Sequence, residues 1–202
     1  FTSITGIERV IGGSGNDDLT GDNADNRLDG STGDGTLNGA GGVDTLIGGD
    51  GADHLSGGLG NDSLQGGIDD DEFNWVVGDG RDSLTGDGGV NKINGANGDD
   101  TITGGAGNDN LTGGAGSDMF VYGAGAGNDT IVDFDAWDAG GQDFLDVSAF
   151  GIGAGNFAAR VAIIDTGADT VIRIDDTYFI TLKNVTGDGD NSISQADFIL
   201  GL

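Results

Sequence analysis

The 202-residue chain has no cysteine, no proline and a single histidine, His54. Without cysteine there is neither a disulfide framework nor a thiolate metal site, and one histidine excludes a histidine-rich zinc centre. Basic residues are scarce as well: seven Lys and Arg stand against 35 Asp and Glu, giving a net charge of -28. A surface this acidic repels nucleic acid and anionic membrane, whose recognition is built on Lys and Arg, so no nucleic-acid partner is expected. No apolar run approaches the length of a membrane span. Glutamate is nearly missing too. Only Glu8 and Glu72 are Glu, and the other acids are Asp, the short carboxylate that occupies turns and holds hard cations through oxygen. With 44 glycines added, the composition argues against helix. The chain opens at Phe1 with neither an initiator Met nor a signal-peptide pattern, and is therefore expected to be part of a longer protein.

What is present is a period of nine. From Gly12 to Asn74 the chain divides into seven nonapeptides starting at Gly12, Gly21, Gly30, Gly39, Gly48, Gly57 and Gly66. Two extra residues, Trp75 and Val76, break the phase, which resumes at Val77, Gly86, Gly95, Gly104 and Gly113. A second slip at Tyr122 and Gly123 precedes a closing copy from Ala124 to Val132, and Ser3 to Ile11 fits as a worn copy. Position eight is an apolar column: Leu19, Leu28, Leu37, Leu46, Leu55, Leu64, Phe73, Leu84, Ile93, Ile102, Leu111, Phe120 and Ile131. One apolar residue in nine makes neither an amphipathic helix nor an ordinary strand. A three-residue strand with its middle side chain inward, followed by a six-residue glycine-rich turn, does fit. Two such units form a flattened coil, and the coils stack as parallel strands about 4.8 Å apart. Position-six carboxylates one coil apart then lie within mutual repulsion, which a bound divalent cation would reverse. Oxygen donors on a flexible loop suit Ca2+ better than Mg2+.

The pattern Gly-Gly-x-Gly-x-Asp-x-apolar-x, clearest at Gly48 to Ser56 and Gly57 to Gln65, resembles the RTX (repeats-in-toxin) proteins of bacteria over about Ser3 to Val132. The resemblance implies an all-β chain: a right-handed parallel β-roll, with calcium between each loop and the loop one coil later. Backbone carbonyls of loop positions one to four and the position-six Asp of both loops would bind it. On this sequence those carboxylates are Asp17, Asp44, Asp53, Asp62, Asp71, Asp82, Asp100, Asp109, Asp118 and Asp129. The matching loop residues are Gly48, Gly49, Asp50, Gly51, Gly57, Gly58, Gly60, Gly66, Gly67, Gly98, Gly104, Gly105, Gly107, Gly113, Gly114 and Gly116. Stacking of alternate repeats pairs Asp44 with Asp62, Asp53 with Asp71, Asp82 with Asp100 and Asp100 with Asp118, and Asp109 with Asp129 if the second slip is absorbed. Gly35 leaves a gap beside Asp17 and Asp53, filled by no cation or by another group such as Asp34. Asn26 and Asn91 offer neutral oxygens that bind calcium less strongly.

After Val132 the glycine content falls and β-branched and aromatic residues rise. Residues 1–132 are thus expected to be the roll, in two repeat blocks of about 3–74 and 77–132, and residues 133–202 a small antiparallel β cap. Ala158 to Ile164, Thr170 to Ile174 and Tyr178 to Leu182 read as its meander, with Phe144, Leu145 and Phe150 in its core. The end, Asp197-Phe-Ile-Leu-Gly-Leu202, is similar to the C-terminal signal by which RTX proteins leave Gram-negative cells through type I secretion machinery. Thr186 to Asp197 resembles an EF-hand loop, with Asp188, Asp190, Ser194 and Asp197 at ligand positions, though Thr186, Asn191 and the short Asp197 depart from that motif.

Three functions are in contention. The first is a calcium-triggered folding and secretion module of a larger exported protein. The second is an adhesive module binding extracellular polysaccharide, with Trp75, Trp137 and Tyr122 as its candidate contacts. The third is the C-terminal part of a secreted protease, lipase or epimerase whose catalytic residues precede Phe1. His54 falls at an outward position seven and reads as a surface residue, so the fragment itself is expected to be non-catalytic.

Overall fold

The computed structural model describes residues 2–3, 6, 8–73, 80–136, 141–185 and 192–201. Within them the repeats alternate between two sheets, one of eleven strands and one of nine, and each repeat strand pairs with the strand one full coil away. The pairing is parallel throughout the repeats and keeps position eight against position eight. In the nine-stranded sheet the column runs Val10, Leu28, Leu46, Leu64, Leu84, Ile102 and Phe120. In the eleven-stranded sheet Leu19, Leu37, Leu55 and Phe73 stack in register, as do Ile93, Leu111 and Ile131 further on. Every position-eight side chain from Leu19 to Ile131 is buried between the sheets, each contributing about 2 kcal/mol of apolar burial. The fold is the parallel β-roll expected from the ninefold period.

The first slip does not interrupt the stack. Leu84 pairs with Leu64 and Lys92 with Glu72, a 20-residue offset in place of 18, so the two extra residues leave the registry of the strands intact. In the second block several strands are only three residues long, as at Lys92–Asn94, Thr101–Thr103 and Asn110–Thr112. In the first block they run on into the loop, as at Thr45–Asp50 and His54–Leu59.

Beyond the repeats, Val161–Asp165, Thr170–Ile174 and Tyr178–Leu182 form the antiparallel meander. The last of these also lies parallel to Asn128–Ile131, placing Leu182 on Ile131. Phe144–Asp146 and Phe198–Ile199 extend the other sheet, placing Leu145 on Phe120 and Phe198 on Leu145. Both apolar columns are thereby closed, and the outer strand edges of the last coil are hydrogen-bonded instead of bare. Phe198 meets Phe157 edge-on at 4.9 Å between ring centroids, and Phe150 meets Tyr178 at 5.0 Å. The described helix is confined to this cap: one turn at Phe157–Arg160 and 3-10 turns at Ser148–Phe150 and Gln195–Asp197. Among the described residues no helix is long and apolar enough to cross a membrane.

Candidate metal centre

The loops joining the sheets stack along both edges of the roll, and their position-six residues form a ladder on each. In every rung the Oδ1 of one residue accepts the backbone N–H of the position-six residue one coil earlier. Asp62 Oδ1 takes the Asp44 N–H at 2.8 Å, Asp71 that of Asp53 at 2.9 Å, Asp100 that of Asp82 at 2.8 Å, Asp118 that of Asp100 at 2.9 Å, and Asp129 that of Asp109 at 2.9 Å. These five are the pairs that the repeat spacing predicts. The ladder also crosses the first slip, where Asp82 takes the Asp62 N–H and Asn91 that of Asp71. It continues past Val132, where Asp143 takes the Asp118 N–H at 2.9 Å. Gly35, with no side chain, still donates its N–H to Asp53.

The second carboxylate oxygen sets these residues apart. Oδ2 of Asp17, Asp44, Asp53, Asp62, Asp71, Asp82, Asp100, Asp109, Asp118 and Asp129 is buried with no hydrogen-bond partner. They are the same ten carboxylates singled out in the sequence. An unpartnered buried anionic oxygen is strongly unfavourable unless a positive charge meets it, so these ten oxygens are suited to meet a cation. From Asp44 onward, burial pushes these carboxyls up from their usual range, against the lowering effect of the N–H each accepts. Asp44, Asp82 and Asp118 reach about 6 and Asp71, Asp100 and Asp129 about 7. For Asp71, Asp100 and Asp129 the neighbouring ladder Asp adds to the rise.

Carbonyls supply the remaining walls. A Cβ placed on Gly48 would collide with Asp53 Oδ2 and with the Gly66 carbonyl one coil on, and a Cβ on Gly60 would collide with the Gly42 carbonyl one coil back. Position one is therefore glycine for lack of space. Positions two and four take positive φ in Gly49, Gly51, Gly58, Gly60, Gly105, Gly107, Gly114 and Gly116, and likewise in Gly67 and Gly98, a conformation glycine enters without penalty. Gly57, Gly66, Gly104 and Gly113 repeat the position-one approach to Asp62, Asp71, Asp109 and Asp118. The position-three carbonyl of Asp50 accepts the Gly33 N–H at 2.7 Å. Among the described residues no three acidic or histidine side chains converge on one point. The donor set is thus carboxylate plus backbone carbonyl, which matches the all-oxygen, flexible coordination that Ca2+ takes.

Asn91 shows the alternative. Its Nδ2 lies where other loops place Oδ2, close to the position a Cβ on Gly86 would take, and donates to the carbonyls of Gly88 at 3.1 Å and Gly104 at 3.4 Å. An amide thus satisfies locally what a carboxylate leaves open. Asp143 is closed in another way, since its Oδ2 accepts the Asp135 N–H.

A second ladder was not foreseen from the repeat. Position-five side chains accept the N–H of the position-five residue one coil later, as in Asn16 to Asp34, Asp34 to Ala52, Asp25 to Val43 and Asp99 to Ser117. Its signal was the excess of Asn and Asp just before position six. Asp34 is engaged there, directing Oδ1 to Ala52. Asp143 also carried a signal, the spacing Asp143-Phe144-Leu145 matching positions six to eight.

Of the EF-hand-like residues, Asp188 and Asp190 lie outside the described residues. Asp197 is buried, its Oδ1 accepting from Gln142 and its Oδ2 from the Ser194 N–H and hydroxyl, which caps the turn at Gln195–Asp197. Trp75 and Trp137 also lie outside the described residues. Tyr122 is only 3% exposed, so its ring is not offered to a saccharide at the surface. His54 is on the outer face, 3.3 Å from Glu72, which also binds Lys92.

The chain matches the RTX calcium-binding nonapeptide repeat (4 copies) over residues 4–37, 38–73, 76–102, 85–120 and 94–131. No curated protein matches it. Similar solved structures include the AlgE6R2 subunit of the Azotobacter vinelandii mannuronan C5-epimerase, 30% identical over 59% of this chain and 88% of that one, with a TM-score of 0.44. The AlgE6R3 subunit of the same epimerase is 27% identical over 70% of this chain and 78% of that one, with a TM-score of 0.42. The extracellular lipase LipA from Serratia marcescens is 18% identical over 93% of this chain and 38% of the lipase, with a TM-score of 0.39.

Proposed function

Because the chain belongs to the RTX family of calcium-binding nonapeptide repeats, we propose that it is the calcium-triggered folding and export module of a larger protein secreted from a Gram-negative bacterium. The observation behind this reading is the set of ten buried Oδ2 atoms without partners. At low calcium those oxygens oppose folding through burial and mutual repulsion. At high calcium each ion, held by ladder Asp and loop carbonyls, turns that cost into binding free energy that only the folded roll can use. Such a chain stays unfolded where calcium is scarce and folds where it is plentiful, a sequence of states suited to passage through a type I secretion channel before folding outside.

The expected division of labour gives residues 1–132 to the calcium-dependent roll and residues 133–202 to closure of its end and to the export signal. Catalysis, where the whole protein performs any, is assigned outside these 202 residues. Deleting 186–202 should stop secretion in a host carrying a reconstituted type I system. The deletion also removes Phe198 from the end of its column, so a second variant, Phe157→Ala, which removes the ring packed on Phe198 and leaves the C-terminal residues intact, serves as the stability control and should still be exported. Undiminished secretion of the truncated chain would overturn the export assignment.

A further inference from the structure

On the edge of the roll where the chain passes from the nine-stranded to the eleven-stranded sheet, six loops begin with glycine: Gly12, Gly30, Gly48, Gly66, Gly86 and Gly104. The seventh loop is two residues longer, and Tyr122 fills its first slot. The backbone shows this. Gly95 donates its N–H to the position-nine carbonyl of Thr112 at 3.0 Å and Gly21 to that of Asn38 at 2.8 Å, and Tyr122 donates in the same way to Asp146 at 2.9 Å. In the glycine loops this slot abuts the position-six carboxylate of its own loop, as the closeness of a Cβ on Gly104 to Asp109 Oδ2 shows, so a side chain here requires a rebuilt loop.

The Tyr122 ring is buried and its hydroxyl has no hydrogen-bond partner, and the same holds for Oδ2 of Asp109 and of Asp129. The negative charges of both Asp residues act on the phenol and, after burial itself, hold its pKa well above the usual value, so it remains a neutral hydroxyl. The rear of this loop keeps the repeat geometry, with Asn128 bonded to Asn108 and Asp129 to the Asp109 N–H. The front is rebuilt: Ala126 donates to the Gly123 carbonyl, and Gly125 donates to the Tyr178 hydroxyl of the cap. The insertion thus places a buried, unpartnered phenol oxygen within reach of the charges of Asp129 and Asp109, in a loop whose Gly127 keeps the close approach to the Gly107 carbonyl.

We propose that the Tyr122 hydroxyl oxygen is a ligand of the divalent cation held by Asp109 and Asp129, making the last site on this edge a side-chain site unlike those before it. The assignment rests on the calcium-binding reading above. A neutral phenol oxygen is a hard donor of the kind Ca2+ accepts, and it meets a buried oxygen pair that otherwise lacks a counter-charge.

The test uses the full 202-residue chain and Tyr122→Phe, which keeps the ring and removes the oxygen. Calcium stoichiometry is read by native mass spectrometry, and bound Tb3+ by luminescence excited through tyrosine. The variant should fold in calcium with an unchanged circular dichroism spectrum yet bind its last ion about tenfold more weakly, as expected for loss of one polar contact to a charged centre. Its tyrosine-excited Tb3+ emission should fall relative to the parent chain. Equal ion counts, equal affinities and undiminished emission would make Tyr122 a core filler and overturn the assignment. Failure of the parent chain itself to bind calcium would overturn the calcium-binding reading and this assignment together.

Discussion

Asp53 and Asp71 stack one coil apart, with Asp71 Oδ1 2.9 Å from the Asp53 amide nitrogen and the Oδ2 of each buried without a partner. Each Asp thus does two things at once. One oxygen fastens its loop to the preceding coil, and the other waits for positive charge. This double role is not available on every rung, since Gly35 has no side chain and the Asn91 amide donates to a carbonyl, so unequal calcium sites are expected.

That inequality is measurable. Asp53 is fully buried, accepts the Gly35 N–H and lies beside Asp71, whereas Asp17 is only partly buried and faces Gly35, which has no side chain. A buried hydrogen bond to a charged group contributes about 1.5–3 kcal/mol, so Asp53→Ala should raise the calcium midpoint of folding about tenfold or more. Asp17→Ala should raise it far less. The converse substitution, Asn91→Asp, should add a calcium ion to the count. Equal midpoints for the two alanine variants in a titration followed by circular dichroism would contradict the pairing of these loops.

Acidity should substitute in part for calcium. In the roll burial disfavours the charge of these carboxyls and pushes Asp44 up to about 6 and Asp71, Asp100 and Asp129 up to about 7, against about 3.9 for Asp in an unfolded chain. The folded metal-free state therefore binds more protons than the unfolded one. Its stability rises as pH falls from about 7 towards 4, and the burial penalty is fully felt above 7. Acidification from about pH 7 to 4.5 in chelator should therefore favour the roll without calcium, whereas at neutral pH the disordered chain is already ionised and calcium-induced folding should release few protons. A chelated chain whose circular dichroism shows no gain of β structure between about pH 7 and 4.5 would contradict the buried-carboxylate account.

The period of nine made the coil, the core column and the ten carboxylates legible, since each follows from one residue type recurring at one spacing. What it hid depends on contacts that spacing alone does not encode. The slip at Trp75 and Val76 broke the phase in sequence, yet the Asp62 N–H still finds Asp82, because the strands on either side keep registry at a 20-residue offset. Asp143 lies 25 residues from Asp118 and continues the same ladder. Phe198, read as part of an export signal, also completes an apolar column begun at Val10, a contact brought about by the path of the cap. The position-five ladder was masked because its acceptors alternate with Val43, Ala52 and Val90, which have no side-chain polar group.

The central claim is that metal completes the fold, and far-ultraviolet circular dichroism of the isolated chain through a calcium titration tests it most directly. In excess chelator at neutral pH the spectrum should be that of a largely disordered chain. Millimolar calcium should bring a cooperative rise in β structure, and equal magnesium much less, since magnesium demands tight octahedral geometry and releases its waters reluctantly. A β spectrum already complete in chelator, and unchanged by calcium, would contradict the account.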